Sequence, residues 1–220
     1  MHALFSGKCF AAFLFDMDGT LLSSLIAAER VWSTWAAQHG LDVEKFLPTI
    51  HGVRSVDTIR RLRMPGIDPE VEAEAITRAE IVDVRGVTPI GGAGAFVRSL
   101  PSHRWAIVTS APLALALARL KEAGLTAPEV MIAAEDVKRG KPDPEGYVLA
   151  AGRLGVAVRD CLIFEDASAG IEAAERASAA VMVITQTHSR VLKTAHPSSP
   201  NYESLGVDVN ASGTLALVRT

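Results

Sequence analysis

Short, almost unbroken apolar runs recur along this chain at about residues 10–15, 104–109, 129–133, 160–165 and 180–184, and the stretches between them carry helical periodicity. Alternation of this kind predicts a parallel sheet covered by helices. Pro112 to Glu122 shows the helical punctuation: Pro112 suits a first turn, where its missing N–H costs nothing, and Gly124 suits the stop. A further helix is predicted from Ile171 to Arg176, directly after the fourth run, with its amino end toward the end of that strand. Oriented N–H groups there favour an anion. Toward the end of the chain, Pro197 to Asn201 reads as a loop and Gly213 to Arg219 as a short terminal strand.

Residues 25–85 break the alternation. Leu25, Ala28, Trp32, Trp35, Ala36 and His39 fall at helical spacing and Gly40 ends the pattern; Ser55 to Arg63 and Asp68 to Val84 read as further amphipathic helices. Trp32 and Trp35, on an apolar stripe, are expected in a core. The chain returns through Gly86-Val87-Thr88-Pro89-Ile90-Gly91-Gly92, which with Leu22 to Ser24 makes two hinges for an inserted helical unit. Gly91, Gly92 and Gly94 do not complete a dinucleotide fingerprint, because Val97 takes its last place and no strand precedes them.

The first apolar run ends in Asp16-Met17-Asp18-Gly19-Thr20. Alternate residues of a strand share a side, so Asp16 and Asp18 start side by side at the end where parallel sheets place ligands, and Gly19 lets the chain turn. Beside a cation, one such carboxylate stays ionised as a nucleophile while its neighbour holds a proton. Three further pieces follow apolar runs or occupy polar loops: Val108-Thr109-Ser110, Arg139-Gly140-Lys141-Pro142-Asp143-Pro144 and Phe164-Glu165-Asp166-Ala167-Ser168.

With these four motifs, between residues 13 and 170, the chain resembles the haloacid dehalogenase superfamily of phosphohydrolases. The resemblance implies an α/β fold, a Rossmann-like parallel sheet core formed by residues 1–22 and 87–220, with an inserted all-helical cap domain, residues 23–86. It implies Asp16 as the nucleophile that forms an aspartyl-phosphate and Asp18 as general acid, then base. It implies Thr109 and Ser110 on the transferring phosphoryl group and Lys141 as a fixed cation on Asp16 and phosphate. Mg2+ would be held by Asp16, Asp166 and the backbone carbonyl of Asp18, with Glu165 supporting the metal directly or through a water.

Substrate choice would fall to the cap, where Gly52 and Arg54, at a helix start, are placed to reach the core cleft and bind phosphate or sugar hydroxyls. Segments around Glu29, His51, Thr109 and Lys141 resemble bacterial phosphatases of hexose and hexitol phosphates, and deoxyglucose-phosphate and glycerol-phosphate phosphatases share much of the pattern. Ser23 departs from the acid common at this hinge, which bears on cap closure or specificity. A β-phosphoglucomutase-like sugar phosphomutase is the alternative; Thr20 after Asp-Gly leans toward the hydrolase.

Composition agrees with an enzyme of small molecules. At 220 residues and 49% hydrophobic the chain buries a sizeable core. A net charge of -3 with scattered Lys and Arg speaks against a nucleic-acid partner. Cys9 and Cys161, far apart, suit a reducing compartment and are expected to be buried or inert. Phe10 to Phe15 is too short to span a bilayer, so no membrane partner and a cytoplasmic setting are expected. The oligomeric state is left open and is compatible with a monomer.

Overall fold

The computed structural model describes residues 2–188 and 194–220. Strands β1 (His2–Ala3) and β2 (Cys9–Phe10) precede β3 (Ala12–Phe15), which carries the first apolar run. β4 (Leu22–Ser23) leads into α1 (Leu25–Gln38), α2 (Val43–Phe46), α3 (Ser55–Leu62) and α4 (Pro69–Val82). The Asp68 side chain starts α4 by accepting from the N–H groups of Glu70 and Val71, around a first-turn proline that has no N–H to satisfy. The return strand β5 (Thr88–Pro89) pairs antiparallel with β4, Leu22 opposite Pro89 and Ser23 opposite Thr88. Entry and exit of the helical stretch therefore run as one ribbon.

α5 (Ala93–Arg98), β6 (Trp105–Val108), α6 (Leu113–Glu122) and β7 (Val130–Ile132) follow. Next come α7 (Glu145–Arg153), β8 (Cys161–Glu165), α8 (Ser168–Arg176) and β9 (Ala180–Ile184), then β10 (Ser198–Ser199), β11 (Leu205–Val209) and β12 (Leu215–Arg219). The main sheet is parallel, in the order β10-β9-β8-β3-β6-β7. From β3 the chain builds outward through β6 and β7, then crosses back to β8 and builds the other way. That reversal makes the carboxyl end of β3 the switch point of the sheet, where α/β folds bind ligands.

The apolar runs are nearly continuous because both sheet faces are buried. Phe13, Phe15, Ile107, Phe164 and Met182 pack on one face with Phe96 of α5, Leu115 of α6 and Leu217 of β12. Leu14, Ala106, Val108, Ile163 and Val181 pack on the other with Tyr147 of α7 and Ala173 of α8. The helical stretch has its own apolar cluster, in which Trp32, Trp35, Phe46, Ile59 and Ile76 meet, as the stripe containing both tryptophans predicts.

The structure departs from the sequence reading at several points. The sequence pattern gives no bounds for α5 or α7 within its helical stretches, and α8 begins at Ser168 instead of Ile171. Pro112 stands at the N-cap of α6, one place before its first turn. The predicted loop at 197–201 contains β10, and the terminal strand pairs with β11, β1 and β2 in an antiparallel sheet. Cys161 is buried, with its thiol pushed up to about 12 by burial, but Cys9 is exposed. No helix among the described residues is long and apolar enough to cross a membrane.

Candidate active site

Asp16 directly follows β3, and its N–H donates to the Phe164 carbonyl at 3.0 Å, continuing the β3–β8 pairing by one residue. The chain then folds back sharply: the N–H groups of Leu21 and Leu22 donate to the Met17 carbonyl, and Gly19 donates to the Leu22 carbonyl. Gly19 has φ +91°, and a Cβ there would lie 2.0 Å from Asp166 Oδ2, so this turn admits glycine alone beside the acidic pair.

Lys141 brings the motifs together. Its buried ammonium donates to Asp16 Oδ1 at 2.5 Å and to Glu165 Oε1 at 2.6 Å. Burial would push this ammonium down, but the carboxylates of Asp16 and Glu165 hold it well above the usual lysine range, so it stays charged. Burial also pushes the Asp16 carboxyl up against the pull of Lys141, to about 7. Asp166 is held well above the ordinary carboxylate range by burial and by the charge of Asp16. Oxygens of Asp16, Glu165 and Asp166 lie within 4.8 Å of one another. Crowded, desolvated carboxylate oxygens are a hard donor set, and they fit a small divalent cation such as Mg2+.

Glu165 is fully buried and has little left to offer a metal. Its Oε1 accepts from Lys141 and from the Tyr147 hydroxyl at 2.8 Å, and its Oε2 accepts from the backbone N–H groups of Asp166 and Ala167 at 2.9 and 3.0 Å. Gly170 makes room for it, since a Cβ there would lie 1.6 Å from Glu165 Oε1. Four donors thus already meet its two oxygens. Thr20 Oγ1 reaches Asp166 Oδ1 at 3.4 Å, and a ring nitrogen of His188 lies 3.0 Å from the Asp166 carbonyl oxygen.

An open cleft of about 1000 Å³ separates this group from the helical stretch. Asp16, Asp18, Thr109, Ser110 and Asp166 line its floor, and Glu29, Trp32, Thr49, His51, Gly52 and Arg61 line the facing wall. The Thr109 hydroxyl accepts from the Ala111 N–H at 3.1 Å, which leaves its own proton for a ligand. Ser110 and Arg54 are engaged elsewhere. Ser110 Oγ donates to the Gly52 carbonyl at 3.2 Å, and the Arg54 guanidinium is taken up by Asp57 and by the carbonyls of Val137 and Lys138. In this arrangement both side chains seat the helical stretch on the core. Gly52, at φ +76°, permits that seat, because a Cβ there would lie 2.5 Å from the Ala167 Cβ.

Arg119, Glu80 and Tyr147 were missed by the sequence reading. Arg119 donates to Asp18 Oδ1 and to Glu80 Oε1, each at 2.9 Å. The signal was present in the pattern: Arg119 interrupts the buried stripe of Leu115, Ala116 and Leu120, and Glu80 follows Ile76 by one turn. A charge on an apolar stripe requires a partner. Tyr147 lies in the helix that follows the Lys141 loop, facing the core.

Residues 10–178 match the family model described as haloacid dehalogenase-like hydrolase. The chain is 45% identical to hexitol phosphatase A of Escherichia coli (strain K12), over 72% of this chain and 76% of that protein. It is 32% identical to 2-deoxyglucose-6-phosphate phosphatase 1 of Saccharomyces cerevisiae, over 80% of each. The solved β-phosphoglucomutase of Clostridium difficile superposes with a TM-score of 0.69 at 23% identity, over 80% of this chain and 84% of its own, a likeness of fold.

Proposed function

The chain belongs to the haloacid dehalogenase-like hydrolases, and on that footing we propose that it hydrolyses small sugar or sugar-alcohol phosphates, with Mg2+, through an aspartyl-phosphate on Asp16. The observation that carries the reading is Asp16 itself: a buried carboxylate at the switch point of the sheet, bonded to a charged Lys141 and opening on the cleft. A phosphate dianion repels a carboxylate, so attack needs positive charge already in place. Lys141 supplies one fixed charge at the attacking oxygen. The carboxylates of Asp16 and Asp166 and the carbonyl of Asp18 would hold Mg2+, which when bound neutralises oxygens of the ester.

Asp16 attacks phosphorus as the bond to the sugar oxygen breaks, and Asp18 gives its proton to that oxygen. Thr109 donates its hydroxyl to the transferring group. Asp18 then takes a proton from water as the water oxygen bonds to phosphorus and the Asp16–phosphorus bond breaks, which returns both carboxyl groups to their starting states. Glu165 acts by holding Lys141, Tyr147 and the loop at residues 166–167 in register. Residues 23–86 serve as the cap, excluding bulk water and presenting Glu29, Trp32, His51 and Arg61 to the leaving group. The names of the two phosphatase relatives support a sugar or polyol phosphate as the substrate.

Phosphate release from hexose, hexitol, pentose, glycerol and nucleotide monophosphates, with and without Mg2+, tests the reading. Mg2+-dependent release with the highest kcat/KM on small sugar or polyol phosphates is expected. Absence of release from all of them, or return of the phosphoryl group to a sugar in place of water, overturns it.

A further inference from the structure

Arg119 stands on the buried face of α6, among Leu115, Ala116 and Leu120, where an unpaired guanidinium would be costly. Its two amino groups hold carboxylates from two different parts of the molecule: Asp18 Oδ1 in the turn after β3, and Glu80 Oε1 on α4, each at 2.9 Å. Glu80 is itself buried, whereas Asp18 lines the cleft with about a quarter of its side chain exposed. A guanidinium is a planar fork whose amino groups cannot turn independently. A shift of α4 that carries Glu80 away therefore disturbs the partner of Asp18 as well.

Resting on the acid–base role read above for Asp18, we propose that Arg119 is the positioning residue of that carboxylate. Glu80 joins the same fork to the cap, so that one buried cluster sets both cap seating and proton transfer. Proton transfer requires hydrogen-bond reach of the reacting atom. With Oδ1 fixed by Arg119, the Asp18 carboxyl is held in one orientation toward the cleft. In the first step its proton passes to the leaving oxygen as the ester bond breaks; in the second it receives a proton from the attacking water. Neither step consumes any further reagent.

The test separates positioning from scaffolding through the leaving group. A sugar alkoxide needs a proton to depart, whereas p-nitrophenolate departs without one. In Arg119→Lys and Arg119→Gln, kcat/KM on a hexitol phosphate is expected to fall about 10²-fold and on p-nitrophenyl phosphate about tenfold or less. The p-nitrophenyl ester should also show a burst of one p-nitrophenolate per enzyme, because Asp18 no longer draws a proton from water efficiently. Glu80→Gln should raise KM for the hexitol phosphate and move the ratio between the two substrates in the same direction as the Arg119 variants, by a smaller factor, because the shared fork loses one of its two anchors.

Equal losses on both esters without a burst, in folded protein, overturn the assignment and leave Arg119 a structural tie. An unchanged KM in Glu80→Gln overturns the link to the cap. Arg119→Lys, which keeps a charge between the carboxylates, carries the test if Arg119→Gln does not fold. Asp18→Asn is the control for the underlying reading: without an ester-dependent split of its own, the acid–base role fails. A split in Asp18→Asn with none in the Arg119 variants overturns the present inference alone.

Discussion

Asp16 and Asp166 share a buried group of oxygens, and their ionisation has to be offset by something. In the folded chain without a cation, burial holds Asp16 at about 7 and Asp166 well above the ordinary range, whereas in the unfolded chain both titrate at about 4. The folded state then binds more protons than the unfolded one between about pH 4 and 7, so stability from these groups falls as pH rises through that window. A cation bound to the ionised pair reverses the loss and releases protons as it binds. The gain in Tm on adding Mg2+ should therefore be small near pH 5 and grow toward pH 8; a gain independent of pH would contradict this assignment. Asp16→Asn keeps the shape and removes the nucleophile, and should lower kcat by about 10⁴-fold or more while the far-UV spectrum is unchanged. Near-parental turnover in that variant would remove Asp16 from the chemistry. The residues to which the proposed reaction gives roles were legible one by one, because each lies at or just past the end of an apolar run or sits in a braced loop. For Arg119 and Glu80 the pattern shows only a charge on an apolar stripe, and Tyr147 leaves no such mark, because the partner of each lies on a distant element.

At the level of elements, the five central strands could be read from their apolar runs because burial on both faces leaves no polar position to blur them. The bounds of α5 and α7 escaped because each begins amid turn residues, and β11 escaped because Gly206 and Asp208 dilute its pattern. Helix α8 shows an element shaped by the site it serves. In an ordinary helix interior, Gly→Ala stabilises by about 1 kcal/mol. At Gly170 the sign should reverse, because the added Cβ would overlap Glu165 Oε1 and force either the carboxylate or the helix to move. Gly170→Ala is expected to cost about 2 kcal/mol in urea unfolding and to lower kcat/KM with it, as Glu165 loses its hold on Lys141. A stabilised and active Gly170→Ala would show that the carboxylate has room to spare.

Across the whole molecule, Arg54 and Ser110 contribute with Arg119 and Glu80 to the seating of the helical stretch on the core, whereas the sequence places Ser110 on the phosphoryl group and Arg54 on phosphate or sugar hydroxyls. Loss of charge-assisted bonds from a half-buried guanidinium costs about 1.5–3 kcal/mol. Arg54→Ala should therefore raise KM for a sugar phosphate about tenfold or more through a looser seat, while inhibition by inorganic phosphate stays near that of the parent. A parallel loss of phosphate inhibition would return Arg54 to the phosphate site.

What the sequence alone determined was which polar residues gather at the carboxyl edge of the sheet, the ones to which the proposed reaction is assigned: Asp16 and Asp18 at the end of the first strand, Thr109 after the second, Lys141 in its loop and Asp166 after the fourth. Those groups are legible because parallel sheets collect strand ends at one edge, so local pattern is enough to place them together. Only the tertiary structure decided which charges pair with which. Glu165 accepts from four donors, the side chains of Arg54 and Ser110 bond across to the other unit, and Arg119 joins Asp18 to Glu80 across 101 and 39 residues of chain. Those pairings join elements remote in sequence, and distances between such elements leave no mark on local periodicity.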